Sequence, residues 1–231
     1  MKRVLVAGAT GLVGGYVLRR LLAHPSYSHV EILVRRESPI RNPKFAQRIV
    51  DFEHIDTGVP GIAPDEVFCC LGTTIRKAGS EEGFRRVDYE YPLALARLAK
   101  AAGAGTFVMV SALGADPKSA VFYNRVKGEV EQAIAGVGLS AAYFFRPSLL
   151  LGARAENRPV EKIGIAVGKA IAPLMIGGLR KYRPVHADTV AAAMVYVANN
   201  TVPAGVIESD EIARFATIAV RTETRHGEKP D

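Results

Sequence analysis

The chain has no tryptophan and only two cysteines, Cys69 and Cys70, adjacent in sequence. Neighbouring cysteines rarely staple a fold, and no Cys/His spacing of a metal site occurs, so a disulfide scaffold and a zinc module are both excluded. A reduced, cytoplasmic chain is expected. Long hydrophobic runs are missing too. The apolar stretch from Ile163 to Gly178 contains Lys169 and Pro173 and is too short to span a bilayer. Met1-Lys2-Arg3 followed by apolar residues to Leu18 has the outline of a signal peptide. Glycines interrupt that run and Arg19-Arg20 continue its helical pattern, so a strand, a turn and a helix account for it better. Basic clusters are absent as well. The net charge is +7 and the pI about 9.5, but the cations fall in scattered pairs such as Arg35-Arg36, Arg76-Lys77, Arg85-Arg86 and Arg180-Lys181. No basic helix or aromatic-rich RNA motif accompanies them. Neither nucleic acid nor membrane insertion is expected.

What is present is enough for one sizeable domain: 231 residues, 48% hydrophobic and 23% charged. Near-continuous apolar runs at Arg3–Ala7, Val30–Val34, Arg48–Phe52, Glu66–Leu71, Thr106–Ser111 and Ser140–Phe145 read as strands buried on both faces. Helical patterns at Gly11–His24, Asp88–Ala102 and Val121–Ala135 lie between them. Alternation of this kind predicts an α/β Rossmann-type, doubly wound parallel sheet of six or seven strands with helices on both faces. Residues 1–220 form one domain on this reading. Residues 151–185 are a small substrate-side insertion with an apolar helical stretch near Val160–Ile171, and residues 221–231 a flexible tail. Thr189–Ala198 reads as a helix capped by Asp188, Val206–Glu208 as a last strand, and Asp210–Ala216 as a last helix. Asp88 likewise reads as a cap.

Gly8-Ala9-Thr10-Gly11-Leu12-Val13-Gly14 directly follows the first strand and opens a helix. Gly8 permits the tight turn, Gly11 lets backbone N–H groups approach a pyrophosphate, and Gly14 lets the helix pack close to the sheet. The phosphate sits at the positive end of the helix dipole. The end of the second strand separates NAD from NADP: a carboxylate there binds ribose hydroxyls, whereas this chain carries Arg35 and Arg36. A guanidinium suits a 2′-phosphate.

Tyr123 and Lys127 are four residues apart on a helix and share a face. Ser111 ends the fifth strand, twelve residues upstream of Tyr123. Reduction of a carbonyl needs a proton donor, and a tyrosine becomes a competent one when a nearby cation stabilises its phenolate. Lys127 can supply that cation, and Ser111 can hold the substrate oxygen. Tyr-x-x-x-Lys alone is commonplace on amphipathic helices; its place after the fifth strand, downstream of Ser111 and the phosphate loop, gives it weight. Cys69 and Cys70 read as buried strand thiols, and His186 as a strand-end residue. Arg76 and Lys77, after the fourth strand, either attract an anionic substrate or are solvated.

These motifs resemble the short-chain dehydrogenases/reductases in their atypical single-domain branch. More narrowly, FCCLGTTIRKAGSEEGFRRVDYEY, SALGAD, YNRVKGEVE and FFRPSLLLGARAENRP are similar to the Tat-interactive protein family of oxidoreductase homologues. The resemblance implies NADP(H) at Gly8, Thr10, Gly11, Leu12 and Val13, with Arg35 and Arg36 on the adenosine side. It implies further cofactor contacts at Leu71, Gly72, Tyr123, Lys127, Leu150 and Arg158. It implies no particular substrate. The expectation is an NADPH-dependent oxidoreductase acting on a small-molecule carbonyl, with a homodimer open to it. The competing reading is a non-catalytic NADPH-binding or sensing protein that acts through a protein partner.

Overall fold

The apolar runs do form strands, and their side chains divide between two layers. In β1 (Lys2–Ala7), Val4 and Val6 point into one core, while Leu5 and Ala7 point into the other. This is the period-two alternation of a strand covered on both faces. The computed structural model describes residues 1–55, 61, 63–152 and 177–227. Arg158 and the helical stretch expected near Val160–Ile171 lie outside them.

Seven strands make one parallel sheet: β1, β2 (Tyr27–Val34), β3 (Phe45–Ile49), β4 (Glu66–Cys69), β5 (Thr106–Val110), β6 (Ala141–Arg146) and β9 (Gly205–Glu208). Their spatial order is β3-β2-β1-β4-β5-β6-β9, and every neighbouring pair runs parallel. The chain winds outward from β1 to β3, then returns to place β4 on the other side of β1. The strand order therefore reverses between β1 and β4, and a crevice opens above their carboxyl ends.

On one face pack α1 (Leu12–Ala23), α6 (Ala187–Asn199) and α7 (Ser209–Gly227), with Val17, Leu21, Val190 and Met194 against Val6 and Ile32. On the other pack α4 (Tyr91–Ala101) and α5 (Phe122–Ala135), with Leu95, Ala99, Val130 and Ile134 against Leu5, Leu33 and Phe107. Two short strands, β7 (Leu150–Leu151) and β8 (Val185–His186), pair separately and lead the chain back into α6.

Helices α2 (Ile75–Ala78) and α3 (Glu81–Arg85) follow β4, each capped by a hydroxyl: Thr74 accepts from Lys77 N–H and Ser80 from Gly83 N–H. Between α3 and α4 the helix widens into one π turn, Arg86–Glu90, where Tyr91 N–H reaches Arg86 O. Pro92 explains it. Its nitrogen has no hydrogen for the Asp88 carbonyl four residues back, so the regular ladder cannot continue there.

At the amino ends of the strands a polar cluster ties distant segments together. Lys2 Nζ lies 2.5 Å from Glu66 Oε1 and donates to Ala198 O and Asn199 Oδ1. Tyr27 donates to Glu66 Oε2 at 2.6 Å and accepts from Asn199 Nδ2 at 2.7 Å. Burial, reinforced by the Glu66 carboxylate, holds the Tyr27 phenol far above its usual range. This cluster sits at the opposite end of the sheet from the crevice.

Several expectations need correction. The third strand is Phe45–Ile49 rather than Arg48–Phe52; it is a half-buried edge strand, and Phe52 instead enters a 3-10 turn that drops its ring into the core. Helix α7 runs through Arg221 to Gly227, well past Ala216. The cap of α6 is His186, whose Nδ1 accepts from Asp188 N–H; the Asp188 carboxylate is engaged by Arg20, Nε to Oδ1 and Nη2 to Oδ2 both at 2.9 Å. Asp88 is no cap either: it is buried inside the π turn.

Candidate active site

The phosphate loop is shaped by contacts that only glycine allows. Gly8 has φ +82°, and a Cβ there would lie 2.4 Å from Cys70 O. A Cβ on Gly14 would lie 2.1 Å from Gly8 O, so α1 can pack this close only with glycine at that position. Gly11 bonds back to Gly8 O through its N–H at 2.9 Å and caps α1 without any side-chain partner for the first turn. The first-turn N–H groups are thereby left for a ligand at the positive end of α1. The loop is a cradle that fits a dinucleotide pyrophosphate.

Above it lies a cleft of about 530 Å³. Thr10, Gly11, Leu12 and Val13 line it, with Leu71 and Gly72 after β4, Ser111 after β5, Tyr123 and Lys127 of α5, and Leu150 of β7. Gly8 and Gly14 shape the loop from beneath. Arg35 and Arg36 follow β2 as exposed side chains outside the cleft lining. Lys77 reaches the cleft, whereas Arg76 does not line it.

Lys127 is 3% exposed, and its Nζ lies 2.7 Å from Oδ1 of Asp88, itself 1% exposed. Asp88 Oδ2 accepts from Thr73 N–H at 2.8 Å. The backbone of Gly72 runs beside this pair: a Cβ there would lie 3.5 Å from Asp88 Oδ1 and 4.0 Å from Lys127 Nζ. Burial pushes the Lys127 ammonium down, but the Asp88 carboxylate overrides it, and the net displacement is upward. Lys127 is a fixed cation, ion-paired with Asp88. Tyr123 is half-buried, its ring tilted at 44° against Phe84 with centroids 5.4 Å apart.

Ser111 donates its hydroxyl to Glu131 Oε1. Glu131 is gripped in turn by Arg146, Nε to Oε1 at 3.0 Å and Nη2 to Oε2 at 2.5 Å. Tyr123, Lys127 and Glu131 occupy successive turns of one face of α5. Cys69 and Cys70 are buried and partly buried thiols, both pushed up by burial, Cys69 to about 12. Neither has the depressed acidity of a reactive cysteine.

Sequence reasoning missed Asp88 and Glu131, together with Tyr16 and Arg19, which also line the cleft. The signal for Glu131 was its position four residues after Lys127 on the same face. Among the described residues no group of His, Cys, Asp and Glu could hold a metal ion, and no helix is long and apolar enough to cross a membrane.

Comparison with known proteins agrees with this geometry. Rat protein HTATIP2 is 41% identical over 164 residues, covering 69% of this chain and 67% of its own length. The Emericella nidulans protein fmp52, mitochondrial, is 31% identical over 216 residues, covering 89% of this chain and 92% of its own. Among solved structures, the Thermotoga maritima UDP-glucose 4-epimerase with UDP-glucose superposes with a TM-score of 0.65 at 16% identity, over 99% of this chain and 84% of that one. The human epimerase family protein SDR39U1 with NADPH gives 0.61 at 16% identity, over 94% and 80%. The model of the NAD dependent epimerase/dehydratase family matches residues 4–208. With its glycine cradle, its reversed strand order and its Tyr123–Lys127 wall, the chain belongs to that NAD(P)-binding family.

Proposed function

We propose that the protein is an NADPH-dependent oxidoreductase that reduces the carbonyl of a small molecule. The observation that carries this reading is the convergence of Tyr123, Lys127 and Ser111 on the cleft that the glycine cradle opens into. A reduced nicotinamide, when bound, supplies the hydride that the carbonyl carbon receives. Tyr123 gives the proton to the developing alkoxide. Lys127, ion-paired with Asp88, would hold the nicotinamide ribose and stabilise the Tyr123 phenolate. The exposed pair Arg35 and Arg36 at the end of β2 supports NADPH over NADH, because a guanidinium pairs with a 2′-phosphate and no carboxylate stands there for ribose hydroxyls. The two free thiols, one buried and one partly buried, agree with a reducing compartment, and we place the protein in the cytoplasm.

The test is titration of the protein with NADPH and NADH, followed by rapid mixing of the NADPH complex with a panel of aldehydes and ketones. Tight NADPH binding and oxidation by at least one carbonyl are expected. Tight binding with no oxidation by any of them would replace this reading with a cofactor-binding module.

A further inference from the structure

A serine hydroxyl has one proton and two lone pairs. In Ser111 the proton points away from the cleft, to Glu131. That direction is not free to reverse. Glu131 faces Arg146, which has only donors, so both carboxylate oxygens must accept. Arg146 is itself held from the far side by Glu208 Oε1 at 3.2 Å. Ser111 and Glu131 are each 5% exposed, so water is a poor competitor for the bond.

Ser111 nevertheless lines the cleft, and what it offers there is lone pairs. A carbonyl oxygen also has only lone pairs, and two acceptors brought together repel. An alcohol has a proton to give. We propose that Glu131 fixes Ser111 as a hydrogen-bond acceptor, so that the site favours the alcohol form of its substrate over the carbonyl form. Glu131 is a positioning residue: it touches Ser111 and not the ligand. The ligand hydroxyl donates to Ser111 while its oxygen meets the Tyr123 phenol, and the balance between bound carbonyl and bound alcohol lies toward the alcohol. This inference rests on the oxidoreductase reading of the same site.

The test uses two mismatched pairs in which no reaction occurs: cyclohexanol with NADPH, and cyclohexanone with NADP⁺. Dissociation constants come from NMR titration of each probe against the cofactor complex. Ser111→Ala is expected to weaken cyclohexanol roughly three- to tenfold, the scale of one hydrogen bond, and to leave cyclohexanone unchanged or tighter. Glu131→Met frees the serine proton and is expected to tighten cyclohexanone relative to cyclohexanol. A purely structural Glu131 would weaken both probes together and leave their ratio alone. Should Glu131→Met fail to fold, Ser111→Ala decides by itself, since Glu131 keeps its arginine. Loss of cyclohexanone affinity in Ser111→Ala, equal to or greater than that of cyclohexanol, overturns the proposal and leaves the oxidoreductase reading standing. Failure of both probes to bind the unaltered protein overturns the proposal for this site, while the oxidoreductase reading stands or falls with the carbonyl panel.

Discussion

Lys127 Nζ stands 2.7 Å from Asp88 Oδ1, and both side chains are almost wholly buried. The pair joins α5 to the π turn, so the cation of the cleft and the irregular backbone opposite it depend on one another. Breaking such a pair costs more than the bond itself, because the remaining charge stays buried without a partner.

Asp88→Ala is therefore expected to lower unfolding free energy by about 3–5 kcal/mol, measured by urea denaturation. Adding Lys127→Met should recover much of that loss by removing the stranded charge. The pH dependence has a definite sign. Because the folded-state value of Lys127 is raised, its contribution is complete below the ordinary lysine value of ~10.4 and is lost only as the pH climbs above it. The difference between parent and Asp88→Ala should stay level from pH 6 to 9 and shrink in stronger alkali.

The phosphate loop separates two kinds of glycine. Gly14→Ala puts a methyl 2.1 Å from Gly8 O, backbone that cannot swing aside. A destabilisation of about 1–3 kcal/mol or more is expected, the scale of overpacking. Gly11→Ala meets the same oxygen at 3.2 Å, a contact tight by only a few tenths of an ångström. It should melt near the parent temperature in calorimetry yet bind NADPH several-fold more weakly.

Arg35→Asp should remove most of the preference for NADPH over NADH. A charge-assisted hydrogen bond is worth roughly 1.5–3 kcal/mol, so the ratio of the two dissociation constants should fall by about one to two orders of magnitude. Equal constants for the two cofactors in the unaltered protein would rule out the assignment of Arg35 and Arg36.

Tyr123→Phe keeps the ring against Phe84 and removes only the hydroxyl. NADPH affinity should hardly change. Single-turnover oxidation of bound NADPH by a working carbonyl should slow by on the order of 10²-fold or more, the usual effect of losing a general acid. An unchanged rate would show that the phenol takes no part.

The phosphate loop was legible in the sequence because its glycines answer to local demands: a positive φ, a close carbonyl, a helix against a strand. Tyr123 and Lys127 were legible for the same reason, since helical spacing alone puts them on one face. Asp88 was not. An aspartate ahead of an apolar helix has the form of a cap, and only the missing N–H of Pro92 with the arrival of α5 turns it inward. Glu131 was hidden because a glutamate on an amphipathic helix passes for a solvated one. Its place one turn after Lys127 was visible, but its partner Arg146 comes from the next strand. Asp188 belongs to the same class, with Arg20 reaching it from 168 residues away.

The cluster around Lys2 bears on the order in which the molecule can be assembled. Lys2 belongs to a central strand, yet two of its partners lie 196 and 197 residues further on, at the end of α6. A chain made from its amino end can pair β1 with β2 and β4 early, but Lys2 and Tyr27 then wait for Asn199 to emerge. The sheet is thus latched at its base by one of the last helices to be made, α6.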